Sequence, residues 1–402
     1  MANARVRQSD IQLGQALRWD VFDRNGRLLL SKGHIINSES QLERLVGVGL
    51  YADAAALAKS RNEAMAEEQE PPSVAATLCN ARRRLDQLFK DLDNIARQGR
   101  LASCIDEIAR QVDAACSHDP HVALAMVMLR QEGRYATRHM LDVAVVVRLV
   151  ARAMGMTPQH EASLVAAALT MNISMADFQD ELKQQNAPLT PSQRARMDRH
   201  PQEAHDLLVK AGVTDPIWLN AVLHHHERLD GSGYPAHLNG SAIASDGQLI
   251  CLADIFCARV TPALYRPAIA SNVILRGFLL ERGKAYDPAV TAFFIKALGV
   301  YPAGLLVKLA NGEIGIVVKH GNSPQTPVVA SFINAGGAPM SLVLRRETDT
   351  RDYAITDSVD PKSFTAYVNM EAIWGAVASM KGPDASLVAA NAGQHRLEPM
   401  AA

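Results

Sequence analysis

The stretch AVLHHHERLDGSGYP, residues 221–235, sets three consecutive histidines and a glutamate directly before a glycine-punctuated turn. Neutral imidazoles side by side are poor material for a helix or a core, so the cluster asks for a chemical use. The apolar run Ile217, Trp218, Ala221, Val222 and Leu223 leads into it as a helix, and DGSGYP is where that helix must stop. Two imidazoles, His225 and His226, presented together at a helix end by a rigid Gly-Pro turn suit a first-row metal better than they suit packing. His34, His118, His121, His160, His205, His320 and His395 are isolated and read as structural.

At 402 residues the chain is too long for one ordinary core, and two to four domains are expected. An apolar share of 48% is enough to fill them. With 41 Lys and Arg against 42 Asp and Glu the net charge is −1, which argues against a nucleic-acid or anionic-membrane surface. Cys79, Cys104, Cys116, Cys251 and Cys257 are odd in number and never spaced as CxxC. They argue against a disulfide framework and a thiolate zinc site, and read as small buried residues of a reducing compartment. The start, MANARVRQSDIQLGQALRWD, lacks the apolar region of a signal peptide, and the most apolar long window, 141–156, is broken by Asp142, Arg148 and Arg152. The expectation is a cytoplasmic protein without a membrane span.

Outward from the histidines, periodicity divides the chain. Residues 1–57 read as a small β-rich module, with Asn25-Gly26 between two β-favouring runs. Residues 58–73, charged and ending in a double proline, read as a linker. Residues 74–118 form a helical connector: Val74, Leu78, Ala81, Leu85, Leu88, Leu92 and Ile95 recur at steps of three and four, and Ile105, Ile108, Val112 and Ala115 repeat the pattern. Arg82, Arg83 and Arg84 fall mostly off that stripe and read as a solvated face. The 74–98 helix can pack within the chain or form a homodimer contact.

Residues 119–300 are helical. His139, Val143, Val146, Val147, Val150 and Met154 share a face closed by Gly155, and 161–172 forms a very apolar helix. Residues 301–380 give β runs around Asn311-Gly312 and over 327–346, and 381–402 reads as a disordered tail. The fold class is mainly α, a helical domain flanked by small β-rich modules at both ends.

HHERLDGSGYP, His225 to Pro235, resembles the signature of the HD-GYP family, helical phosphohydrolases of the HD superfamily that hydrolyse cyclic di-GMP at a centre of two or three metal ions. RYATRH, with His139, RMDRHP, with His200, and ICLADIF, with Asp254, resemble further metal-ligand segments, and KAYDPAV, 284–290, the segment that closes the domain. The resemblance covers about residues 120–300, and the sequences before and after it resemble modules that often flank this domain. It implies metal ligation by His139, His200, His225, His226 and Asp254. It also implies a phosphate contact at Arg266, and a surface at Asp230, Gly231, Gly233, Tyr234 and Pro235 that contacts partners such as diguanylate cyclase domains.

The chain departs from the family where the second metal helix should end in a His-Asp pair followed by a Lys. AALTMNISM puts Met171, Asn172 and Met175 in those places. By the family's pattern the Asp bridges two metals, which clamp the attacking and leaving oxygens. An Asn carries no charge and bridges poorly, and a Met thioether is a weak ligand for the hard or borderline ions of such sites. One metal keeps two of its four family ligands; the other keeps His200, His225 and His226. Ligand count therefore favours a single Zn, Fe or Mn ion, or none, over a dinuclear centre. Cys257 stands for a usual Asp and Ala263-Leu264 for a usual Arg-Pro, while Tyr265 and Arg266 are kept. The expectation is a cyclic di-GMP signalling protein that is catalytically impaired and acts by docking and nucleotide binding. The alternative is a slow phosphodiesterase using the three remaining histidines.

Overall fold

A computed structural model describes residues 3–7, 10–11, 16–36, 41, 45, 50–60, 72–130, 132–262, 264, 266–360 and 368–380. Most of the linker, Ala263, Tyr265, His395 and the 381–402 tail lie outside the described residues. Contacts divide the chain into two units, Met1–Pro71 and Pro72–Ala402.

In the first unit, the Asp23 carboxylate accepts from the N–H groups of Asn25 and Arg27, and Gly26 takes the left-handed conformation that the turn demands. This closes a hairpin of β2 (Val21–Phe22) and β3 (Leu28–Leu30), while β1 (Asn3–Arg5) pairs antiparallel with β4 (Tyr51–Asp53). The sheet order is β1-β4-β2-β3, and Val6, Leu17, Trp19, Val21, Ile36 and Leu50 fill its core.

The second unit is mainly helical: α1 (Val74–Lys90), α2 (Leu92–Arg97), α3 (Leu101–His118), α4 (Pro120–Leu129), α5 (Tyr135–Ala153), α6 (Pro158–Thr170), α7 (Ala176–Lys183), α8 (Pro191–Lys210), α9 (Pro216–His224), α10 (Ser245–Val260), α11 (Ser271–Glu281) and α12 (Pro288–Leu298). Five of these start on one local device, a capping Asp or Thr followed by Pro: Asp119, Thr157, Thr190, Asp215 and Asp287 each accept from a first-turn N–H. The proline brings a preset φ where no N–H is needed. Among the described residues no helix is long and apolar enough to cross a membrane.

Three expectations are corrected. The stripe from Val74 to Ile95 belongs to two helices, because the backbone leaves helical geometry at Asp91, whose carboxylate accepts from the Asn94 amide. The apolar helix expected over 161–172 starts at Pro158 and stops at Thr170, so Met171 and Asn172 lie in a turn. None of Arg82, Arg83 and Arg84 is a fully solvated side chain: Arg84 pairs with Glu107, and Arg82 donates to the Glu132 carbonyl. The apolar stripe of α1 is spent inside the chain, where Val74, Leu78, Ala81, Leu85 and Leu88 join the main core. The cysteines are free; Cys116, Cys251 and Cys257 are buried, whereas Cys79 and Cys104 are only partly so.

A five-stranded antiparallel sheet follows the helices: β5 (Leu306–Leu309), β6 (Ile314–Ser323), β7 (Thr326–Ile333), β8 (Pro339–Glu347) and β9 (Ile355–Ser358), in the order β8-β7-β6-β5-β9. Alternation splits its residues between two small cores, Leu305, Val307, Leu309 and Val317 on one face and Leu306, Ile316 and Val318 with Ile373 on the other. A Cβ at Gly304 would lie 2.7 Å from the Met128 Cβ, so only glycine lets the sheet's entry pack against α4. Ser73 donates to the Ser379 carbonyl at 2.5 Å, which brings the two described ends of this unit side by side.

Candidate metal centre

His200 sits in α8 immediately before Pro201. A proline inside a helix has no N–H, which releases the carbonyl four residues back, that of Met197. His200 takes that acceptor, its Nδ1–H donating to it at 2.5 Å. His225 caps the C-terminus of α9, where carbonyls lack helical partners, and its Nδ1–H donates to Val222 O at 2.6 Å. Both rings are thereby fixed with Nε2 carrying a lone pair, and the two Nε2 atoms face each other at 3.2 Å. Neither has a proton to give the other. Burial pushes His200 down to about 3, with His225 adding to the effect, and burial lowers His225 as well.

The third imidazole, His226, stacks on Tyr234 with ring centres 4.6 Å apart, and lies 5.0 Å from the His200 ring. Burial, with His225 and His200 beside it, holds it far below the usual imidazole range. One nitrogen from each of His200, His225 and His226 falls within 4.8 Å of the others. Two imidazole nitrogens on a tetrahedral ion stand about 3.3 Å apart for metal–nitrogen bonds of roughly 2.0–2.1 Å. The observed 3.2 Å pair of lone pairs therefore fits a divalent ion.

Beside the triad, His139 of α5 donates through Nε2 to the Oδ1 of Asp254 on α10 at 2.7 Å. Its Nδ1 is buried without a partner. Burial raises the Asp254 carboxyl, but the His139 bond and the surrounding imidazoles outweigh it and hold the group below the usual carboxylate range. Asp254 Oδ2 lies 4.0 Å from His226 Nδ1, which connects the pair to the triad.

The turn after α6 supplies an apolar flank. Met171, Asn172 and Met175 are all buried, and the Asn172 Oδ1 has no hydrogen-bond partner. Ser174 donates to the His200 carbonyl at 3.0 Å, which ties this turn to α8 at the triad. Trp218 of α9 donates its indole N–H to Thr170 Oγ1 at 2.7 Å, fixing the end of α6 against the helix that leads to the histidines.

DGSGYP folds back on the histidines rather than away from them. A Cβ at Gly233 would fall 2.5 Å from each of Arg228 N, Glu227 Cα and His226 O, so the loop requires glycine there for space. Glu227 is fully buried, and its carboxylate accepts from Ala236 N at 2.7 Å and Leu238 N at 3.0 Å. Asp230 Oδ1 accepts from Ser232, and Leu229 N donates to Ala285 O, joining the loop to the KAYDPAV segment. A groove of about 400 Å³ runs along the turn between Tyr234, Pro235, His237 and the α8 residues Arg194, Arg199 and Gln202, with Arg194 over the Tyr234 ring.

Sequence reasoning singled out neither Glu227 as the loop's anchor nor Lys183. The Lys183 ammonium sits 4.1 Å over the Tyr135 ring, which stacks on His139, and burial with nearby Arg138 and Arg266 pushes it down to about 8. Arg266 itself donates to the Ala258 and Arg259 carbonyls at the end of α10. The signal for the locked His200 tautomer lies in the His200-Pro201 dipeptide.

A helical domain with this histidine–aspartate cluster corresponds to a known class. Residues 116–290 match the HD domain family. The chain is 26% identical over 315 residues to the cyclic di-GMP phosphodiesterase PA4108 of Pseudomonas aeruginosa, a match covering 77% of this chain and 74% of that one. It is 26% identical over 245 residues to a cyclic di-GMP phosphodiesterase of Vibrio cholerae, covering 57% and 49%. To the cyclic di-GMP phosphodiesterase response regulator RpfG of Xanthomonas campestris it is 30% identical over 145 residues, covering 36% and 38%. The chain spans about half or less of the last two. Residues 116–290 thus carry an HD domain, and over a longer span the chain is similar to cyclic di-GMP phosphodiesterases.

Proposed function

We propose that the protein is a cyclic di-GMP signalling protein whose helical domain is catalytically impaired and acts through nucleotide binding and docking on the Asp230–Pro235 loop. The observation that carries this reading is Asn172, buried, uncharged and with its Oδ1 unpartnered, at the position of the bridging carboxylate in the family's pattern. Buried Met171 and Met175 beside it leave the floor of the cleft without a ligand or a phosphate-binding ammonium. The docking part is supported by a loop braced by the Glu227 carboxylate and bordering a groove that carries Arg194 and Arg199.

His200, His225 and His226 would hold a single divalent ion, with Asp254 and its donor His139 flanking it. Such an ion supplies a Lewis acid for a phosphoryl oxygen and acidifies water. The chain's own groups fix the His200 and His225 tautomers, bury those two rings and orient the partly exposed His226 against Tyr234. The facing Nε2 atoms favour a second reading, a slow single-metal phosphodiesterase.

The deciding experiment measures cyclic di-GMP turnover and calorimetric binding for the wild type, His226→Ala and Met171→His/Asn172→Asp. Impairment predicts wild-type turnover no greater than that of His226→Ala, with nucleotide binding retained. Metal-dependent wild-type turnover abolished by His226→Ala would establish the second reading instead.

A further inference from the structure

A cavity of about 30 Å³ lies between α1, α4 and α5, away from the histidine triad, and three guanidinium groups converge on it: Arg82, Arg130 and Arg138. Its acidic lining residues are Asp142 and Glu132. Arg138 Nε is 3.9 Å from Asp142 Oδ2, and Arg130 Nη1 is 3.5 Å from Glu132 Oε1, whose side chain is 64% exposed. Cations outnumber carboxylates even with both acids ionised. Burial also pushes the Asp142 carboxyl well up against the pull of Arg138 and Arg82.

Donors are left over as well as charge. The Nε atoms of Arg82 and Arg130 are both buried and have no hydrogen-bond acceptor. Arg82 is held in place from outside: its Nη1 donates to Glu132 O at 2.5 Å, and a Cβ at Gly133 would lie 2.9 Å from that nitrogen. The turn at Gly133 therefore packs directly against the guanidinium. A buried charged N–H without a protein acceptor favours an anionic one.

Volume and wall chemistry narrow the class. On the scale where one water needs about 10–15 Å³, the cavity of about 30 Å³ takes roughly two to three water-sized groups, far too few for a nucleotide. Leu78, Met126, Leu141 and Val145 make much of the wall apolar. A tetrahedral oxyanion would leave oxygens facing these side chains, whereas a carboxylate presents two oxygens on one edge, suited to guanidinium forks, and an alkyl end to the apolar side. We propose that this cavity is a binding site for a small aliphatic monocarboxylate of acetate to propionate size. Because Arg138 directly precedes His139 on α5, the site is one residue in the chain from the metal centre.

The test is calorimetric titration of the full-length chain with sodium acetate, propionate, chloride and phosphate at constant ionic strength. Saturable binding of one carboxylate per chain is expected, about fivefold or more tighter than chloride or phosphate, and weakened about tenfold in Arg130→Gln and in Arg82→Lys, which keeps a charge but lacks the fork. A second readout avoids any dependence on how the variants fold. Cys79 lines the cavity, so propionate slows its alkylation in the wild type, followed by peptide mass spectrometry. Absence of saturable carboxylate binding, equal binding of chloride or phosphate, or unchanged Cys79 alkylation at saturating propionate would overturn the assignment.

Discussion

Trp218 and Thr170 join two helices through a single indole-to-hydroxyl hydrogen bond of 2.7 Å, and with it the end of α6 is held beside the helix that ends in the histidines. Both groups are buried. Thr170→Val keeps the shape and removes the acceptor, leaving the indole N–H unsatisfied at a cost of about 1–3 kcal/mol. Urea unfolding should show this loss, and the near-ultraviolet circular dichroism of Trp218 should change with it. Equal midpoints for the variant and the wild type would show that the bond does not hold these helices.

Gly233→Ala places a methyl group against three backbone atoms at 2.5 Å, none of which belongs to a flexible side chain. The loop has to move, breaking the Tyr234–His226 stack. A destabilisation of about 2–3 kcal/mol is expected, at the upper end of ordinary substitutions. Gly231→Ala provides a comparison, since its strain comes from φ +75 and its nearest neighbour stands at 3.7 Å.

Glu227→Gln tests the loop's anchor by another route. The carboxylate accepts two backbone N–H groups on separate oxygens, while an amide offers one oxygen and turns an N–H₂ toward a donor. A loss of about 1–2 kcal/mol is expected, with faster amide exchange at Ala236 or Leu238. Unaltered exchange at both positions would remove Glu227 from this role.

Acid should unfold the metal-free protein early. His200 is held down to about 3 and His225 and His226 are lowered too, against 6.5 for the unfolded side chain. Because the unfolded state takes up the protons first, the stability from these groups is complete above pH 6.5 and declines as the pH falls from 6.5 toward the folded values. Each group contributes at most about 1.4 kcal/mol per pH unit over that window. Denaturant midpoints from pH 8 to 4 after chelator treatment measure the slope, and His200→Gln should flatten it.

A divalent ion bound to the triad but not to the unfolded chain adds about 2.7 kcal/mol when free metal is a hundredfold above its dissociation constant. Thermal melts with zinc, manganese and ferrous iron should therefore shift upward in the wild type. The shift should vanish in His225→Ala, whose partner His200 then lacks its opposing nitrogen. A shift of equal size in that variant would place the ion elsewhere.

The helical fold and the histidine cluster were legible because their signals are local. Apolar steps of three and four mark α1, α3 and α5, and HHERLDGSGYP carries its histidines, anchor and turn within eleven residues. What was not legible depends on distant partners. Arg82 looked solvated because its position on the helix was visible, whereas the Glu132 carbonyl and Gly133 that draw it inward lie some fifty residues on. The stop of α6 at Thr170 is not marked by glycine or proline; it coincides with the bond to Trp218. Lys183 carries no motif, and only packing brings it over Tyr135 and so near His139.

The bond from Ser73 to Ser379 gives the second unit the topology of a ring. Its two described ends are one place, near the start of α1, where Cys79 also meets Met380. A short peptide joining those ends, with a new opening cut in an exposed loop such as 185–189, would reorder the polypeptide while leaving its tertiary contacts in place.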